Sequence, residues 1–206
     1  MKTKLLRFAG VATMLALVLS PYARADYVWL QRSDAGLTAQ AGVLNKPDGS
    51  VALAETKLVQ PDGKSTPVDA KLGVVAEAAP GGDVRLTAVR SGSDGVLTYF
   101  QARHGREGTT AVNDFELVPT EPGGSTFKLF FKGRPVSASQ VNVDTSAGWR
   151  RVLSPARDGT VSFEPSFPGL YVLEVTAKVN NGSVVFDGRK FEDVRHTATL
   201  SFEVAR

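Results

Sequence analysis

Phe127-Lys128-Leu129-Phe130-Phe131-Lys132-Gly133-Arg134-Pro135-Val136 opens the stretch that decides the fold. Phe127, Leu129 and Phe131 alternate with Lys128 and Lys132, the period of two expected of a strand with one buried face. Gly133-Arg134-Pro135-Val136 is read as the break after that strand, and Val141 and Val143 resume the alternation against Gln140, Asn142 and Asp144. Asp158-Gly159 predicts a hairpin turn, because glycine accepts the positive φ of a tight primed turn. Val161 and Phe163 follow, and Pro168-Gly169 turns the chain into Leu170-Tyr171. This stretch therefore reads as half of a small antiparallel β-sandwich.

Outward from it, the same grammar continues. Tyr171, Leu173, Val175, Ala177 and Val179 are expected to face inward and Val172, Glu174, Thr176 and Lys178 outward; Asn181-Gly182 is a second hairpin signal. The last strand sets His196, Ala198, Leu200, Phe202 and Val204 against Arg195, Thr197, Thr199, Ser201 and Glu203, an alternation that predicts one wet face. Towards the N-terminus, strands are expected over 27–32, 37–43, 68–76, 84–90, 96–102 and 115–118, while 51–60 fits helix or strand. Asp-Gly pairs at 48, 62, 94, 158 and 187 punctuate the chain, and no capped amphipathic helix appears. The expectation is an all-β protein of two consecutive antiparallel sandwich domains, 26–120 and 121–206, joined at Thr120-Glu121-Pro122-Gly123-Gly124-Ser125.

Lys2, Lys4 and Arg7 precede an apolar run over 8–19, and Ala23-Arg24-Ala25 follows Pro21. That is the pattern of a signal peptide, 1–25, cleaved after Ala25, with an apolar run shorter than the roughly 20 residues a spanning helix needs. A periplasmic location with no membrane span after cleavage is expected. The full chain has 24 basic and 21 acidic residues; Lys2, Lys4, Arg7 and Arg24 leave with the leader, so the mature chain is slightly acidic. Without a clustered basic face, nucleic-acid binding is excluded. There is no cysteine, and both methionines, Met1 and Met14, precede the cleavage site, so burial alone must hold the fold and soft-metal ligands are absent.

Few residues offer chemistry. There is no Gly-x-Ser-x-Gly elbow, His-Glu-x-x-His pair or phosphate-cradling loop, which argues against an enzyme. His104 and His196 are the only histidines. His104 sits in Arg103-His104-Gly105-Arg106-Glu107-Gly108 and reads first as a solvated loop histidine beside repelling arginines, second as a metal or anion contact. His196 reads first as a rim histidine satisfied by the backbone, second as a ligand to a borderline divalent ion with Asp193. Trp29 and Trp149 read as core residues ahead of binding platforms, although Trp149-Arg150-Arg151 also suits a protein-binding anchor.

Two resemblances add expectations. The order Gly-x-Pro-Val, valine strand, Asp-Gly, Phe, Pro-Gly-x-Tyr over 133–171 resembles transthyretin-like and carboxypeptidase-regulatory-like modules, which implies an immunoglobulin-like or transthyretin-like sandwich. Val28-Trp29-Leu30-Gln31, Phe115-Glu116-Leu117-Val118-Pro119 and Ala198-Thr199-Leu200-Ser201-Phe202 are similar to an uncharacterised exported bacterial domain family. It is often described as a periplasmic component of nickel or cobalt uptake and found beside TonB-dependent receptors. The resemblance implies a non-enzymatic accessory to metal-ion or metal-complex uptake, a divalent transition metal (nickel, cobalt or zinc) and an envelope transporter or receptor as partner. Its metal residues here would be His196, Asp193, His104 and Asp26, the last standing where that family often has a histidine ahead of the Trp-Leu segment. The alternative is a metal-free envelope interaction module, for which two scattered histidines and no thiols suffice.

Overall fold

The computed structural model describes residues 26–34, 36–60, 62–69, 74–76 (backbone only), 82–178 and 182–205. The leader read at 1–25, Val179 and Asn181 lie outside them. The first half gives β1 (Tyr27–Ser33), β2 (Gly36–Val43), β3 (Lys46–Pro47), β4 (Ala54–Val59), β5 (Ser65–Pro67), β6 (Val74–Ala76), β7 (Val84–Ser91), β8 (Val96–His104) and β9 (Phe115–Pro119). The second gives β10 (Thr126–Phe131), β11 (Arg134–Val136), β12 (Val141–Thr145), β13 (Arg150–Leu153), β14 (Thr160–Ser162), β15 (Gly169–Lys178), β16 (Val184–Phe186), β17 (Arg189–Phe191) and β18 (Asp193–Val204). The described residues contain no helix, so the all-β expectation holds, and the ambiguous 51–60 stretch resolves as strand β4.

An eight-stranded sheet, ordered β13-β12-β15-β18-β8-β7-β4-β5, forms the centre. Four of its strands precede residue 120 and four follow it. They join where β18 runs parallel to β8, from Asp193↔Val96 to Ser201↔His104. Its other neighbours pair antiparallel. Two small sheets cover it. On one face lies β9-β10 with β11 and β14, closing a core of Phe115, Phe127, Leu129, Val143, Leu173 and Leu200. Against the other face lie β1, β2, β3 and β6, packing Val28, Leu30, Ala39, Leu86 and Phe100 together.

That second cover corrects the expectation of a wet face. Thr197, Thr199 and Ser201 are buried: β1 lies over the last two and its backbone accepts their hydrogens, Thr199 Oγ1 donating to the Val28 carbonyl at 2.6 Å and Ser201 Oγ to that of Leu30, while the Thr197 hydroxyl pairs with that of Thr176 at 2.8 Å. Val172, expected outside, packs with Tyr27, Trp29, Leu44 and Leu170. A strand buried on both faces need not alternate apolar with polar if its hydroxyls find acceptors. Two local readings also change. Lys132 (φ 49°) and Gly133 (φ 72°) make a two-residue turn, so 134–136 returns as β11 against β10 instead of breaking the strand. Among the described residues of the 68–76 stretch, Val74–Ala76 forms β6, and Ser65–Pro67 pairs earlier as β5.

Candidate functional site

The four residues singled out as metal ligands are not brought together. Asp193 begins β18 with its carboxylate forked on Arg195 (3.1 and 3.0 Å) and reached by Lys178 Nζ at 3.1 Å. Those bonds, the Arg195 one foremost, push it down to about 2. His196 is three positions on, so strand alternation turns the two side chains to opposite faces. Asp26 is paired with Arg90 at 3.2 Å. Among the described residues no group of three or more histidines and carboxylates is placed to hold a metal ion. With each carboxylate already bound to a cation, this set does not fit a divalent transition metal.

His104 is no loop residue. The parallel pairing with β18 carries β8 on to it, and β1 covers it until only 7% is exposed. Its Nδ1 lies 3.3 Å from Ser201 Oγ. Burial pushes the imidazole below its ordinary value, with Arg32 adding to the effect. A serine beside a histidine suggests a nucleophile, but Ser201 is fully buried and its hydroxyl donates to the Leu30 carbonyl. The pair is internal glue between sheets.

His196 sits at the mouth of the sandwich. Its ring stacks on Tyr99 (5.1 Å between centroids, 22°) and meets the ring of Phe131 edge-on at 5.3 Å. Gln101 Nε2 donates to its Nδ1 at 3.1 Å, which leaves the proton on Nε2. Burial lowers its proton affinity, Asp114 opposes that and Lys132 adds to it, so the ring is neutral at pH 7. On one side an apolar cavity of about 370 Å³ runs between Phe115, Leu129, Val136 and Val175. On the other, a more polar one of about 390 Å³ is walled by Tyr99, Gln101, Asp114 and Lys132.

Sequence reading missed the most concentrated chemistry in the chain. Arg85, Arg103, Asp83 and Glu116 are all buried together. Glu116 Oε1 accepts Arg85 Nε at 2.7 Å and Arg103 Nη1 at 2.9 Å. Arg103 also grips Asp83, whose carboxylate takes the N–H groups of Glu107 (3.0 Å) and Gly108 (2.7 Å). Glu116 Oε2 takes those of Val112 (2.8 Å) and Asn113 (2.7 Å). Burial lowers the Arg103 guanidinium from its ordinary value, while Asp83 and Glu116 raise it. The network pins the loop 105–114 onto the sheet. No local signal announced it, since Arg85, Arg103 and Glu116 come one each from β7, β8 and β9 and Asp83 from the turn before β7.

The two tryptophans part company. Trp29 is buried with its Nε1 donating to Gln31 at 3.1 Å, whereas Trp149, read first as core, stays 38% exposed. It precedes β13, an outer strand of the central sheet, where Val152 is 59% exposed. Compared with known proteins, the chain matches no family model and no curated sequence.

Proposed function

We propose that this is a non-enzymatic, metal-free interaction module of the bacterial envelope, exported by the leader at 1–25, which holds an extended acidic segment of a protein partner along β13. One observation carries the reading. Among the described residues β13 pairs with β12 on one side only, and Trp149 just before it, with Arg151 and Val152, is exposed to solvent. Thr145 N–H bonds the Trp149 carbonyl at 3.0 Å and closes the β12–β13 hairpin. Ladder alternation from that bond turns the N–H and C=O of Val152 to the free edge. Natural edges usually carry a lysine, proline or bulge that blocks pairing; here the open rung at Val152 follows an aromatic anchor, Trp149, and Arg151, while Arg150 is already paired with Asp144. A second copy of β13 would set arginine against arginine, so a carboxylate-bearing strand is the better match.

The metal-uptake reading needs donors that converge. Asp193, Asp26 and His104 have partners that keep them apart, which favours the metal-free reading. The test is selection of a displayed random-peptide library on the mature protein. Selected peptides should alternate apolar residues with Asp or Glu, survive chelator, and lose capture on Val152→Pro, which deletes an outward donor but no ladder bond. No enrichment, or capture indifferent to that substitution, defeats the proposal. Heat on titration with Ni²⁺, Co²⁺, Zn²⁺ or Cu²⁺ that vanishes in His196→Ala would restore the metal.

A further inference from the structure

Across β8 from His196, a cavity of about 310 Å³ lies between the outer face of β4, β7 and β8 and the segment 112–114. Two neutral amides line it. Asn113 is 5% exposed, and neither its Nδ2 nor its Oδ1 has a hydrogen-bond partner. Gln101 is 6% exposed; it spends Nε2 on His196, and its Oε1 is unpartnered. Buried polar atoms are normally paired, because each loses its bonds to water on folding. The three unpaired buried atoms belong to two residues that line one cavity, an incomplete set of bonds that a ligand there completes when the amide groups turn towards it.

The surroundings hold these groups in place. The backbone N–H groups of Val112 and Asn113 are bound by Glu116, which Arg85 and Arg103 fix in turn, so Asn113 stands on a rigid ionic support. Glu55, at the rim, has a left-handed backbone (φ 48°) where the β4–β7 register shifts between Ala54 and Lys57. Lys132 and Asp187 share that conformation, but each is followed by a positive-φ glycine in a two-residue hairpin turn. Glu55 instead takes it as the extra residue of the β4–β7 bulge, which turns its side chain to the rim of the cavity.

We propose that this groove binds a neutral saccharide chain. An amide NH₂ and two amide carbonyls ask for groups that both donate and accept, as hydroxyls do. Glu55 and Asp114 face Lys57 in this cavity and Lys132 stands in the adjoining one, so the two together carry no net charge. The Tyr99 ring, stacked on His196 on one side, borders both cavities and supplies apolar surface for a sugar ring. Tyr99, Gln101 and Asp114 are common to the two cavities, so the groove continues past a single sugar unit. A peptide fits less well, since β4, β7 and β8 are each paired on both sides and offer no free main-chain edge.

The test follows the side-chain NH₂ resonances of Asn113 and Gln101 in ¹⁵N-labelled mature protein, titrated with cellotetraose, maltotetraose and chitotetraose and, separately, with tetraalanine. At least one tetrasaccharide should move both pairs of resonances, and Asn113→Leu or Gln101→Met should weaken it about tenfold or more. Asn113→Leu should leave the thermal midpoint of the free protein unchanged or higher, because it removes unpaired buried atoms. Silence with every sugar, shifts with tetraalanine alone, sugar affinity untouched by both substitutions, or a lowered midpoint in Asn113→Leu each overturns the proposal. Three strands separate β8 from β13 in the central sheet, so this outcome is independent of peptide capture there.

Discussion

Arg85 and Arg103 stand directly opposite each other on β7 and β8, and both are buried. Like charges so placed repel, and Glu116 reconciles them by accepting one bond from each on Oε1. Removing the carboxylate leaves two guanidinium groups in a dry interior with only Asp83 to compensate. Glu116→Ala should therefore cost roughly 3–5 kcal/mol of unfolding free energy, read from urea denaturation. A loss under about 1 kcal/mol, the worth of a surface pair, would show that water reaches the network.

Gly105 tests the same network from its loop. Its φ is +106°, and a Cβ there would lie 2.2 Å from Asp83 Oδ1. Asp83 cannot retreat without releasing Arg103 and the N–H groups of Glu107 and Gly108. Gly105→Ala should destabilise by well over the ~1 kcal/mol of an ordinary glycine effect. Gly63, at φ +83° with nothing within 4 Å of its Cβ position, is the control for backbone strain alone. Equal thermal midpoints for the two variants would refute a special role for the Gly105–Asp83 contact.

Much of the fold was legible because strands with one open face write their burial in alternation: Phe127, Leu129, Val141 and Val143 are all in the core. Asp158-Gly159 turns the chain, but not as the expected hairpin, because β13 pairs with β12 and β14 crosses to pair with β10. What was illegible has one cause. Thr199, Ser201, Arg85 and Arg103 are buried polar residues whose partners are distant in sequence, so a local pattern assigns them to solvent. His104 was misplaced for the same reason, since β1, the strand that covers it, is more than seventy residues away. The amides of Gln101 and Asn113 carry no motif at all and become visible only as unpaired atoms of two residues that line one cavity.

Both histidines should make the fold acid-sensitive. His104 and His196 are lowered from 6.5, chiefly by burial. The unfolded chain then binds protons that the folded chain resists. Stability is whole above pH 6.5 and falls as pH drops from there through the folded-state values. Asp193, held near 2, stays charged throughout. Urea midpoints should fall between pH 7 and about pH 5, and less steeply in His104→Asn and His196→Asn, each measured against its own value at pH 7. A flat profile in the unsubstituted protein would contradict the burial of both rings.

The last prediction concerns how β1 stays attached. It pairs with β2 along one edge, while Thr199 and Ser201 of β18 send hydroxyls from beneath to the carbonyls of Val28 and Leu30. While β1 stays seated those carbonyls are out of water, so solvent does not replace a deleted donor there. Thr199→Val preserves shape and removes one bond; Ser201→Ala removes another and also a contact of His104. Each should cost about 1–3 kcal/mol, the penalty of an unsatisfied buried acceptor. Because the two sites serve adjacent rungs of one strand, their effects should not add: once one carbonyl is unpaired, β1 can lift and recover water at both. Amide exchange separates this from general weakening. In the double variant, β1 and β2 should exchange faster than β15 and β18, whereas uniform acceleration across all four strands would mean that the hydroxyls stabilise the whole fold and do not tether β1 in particular.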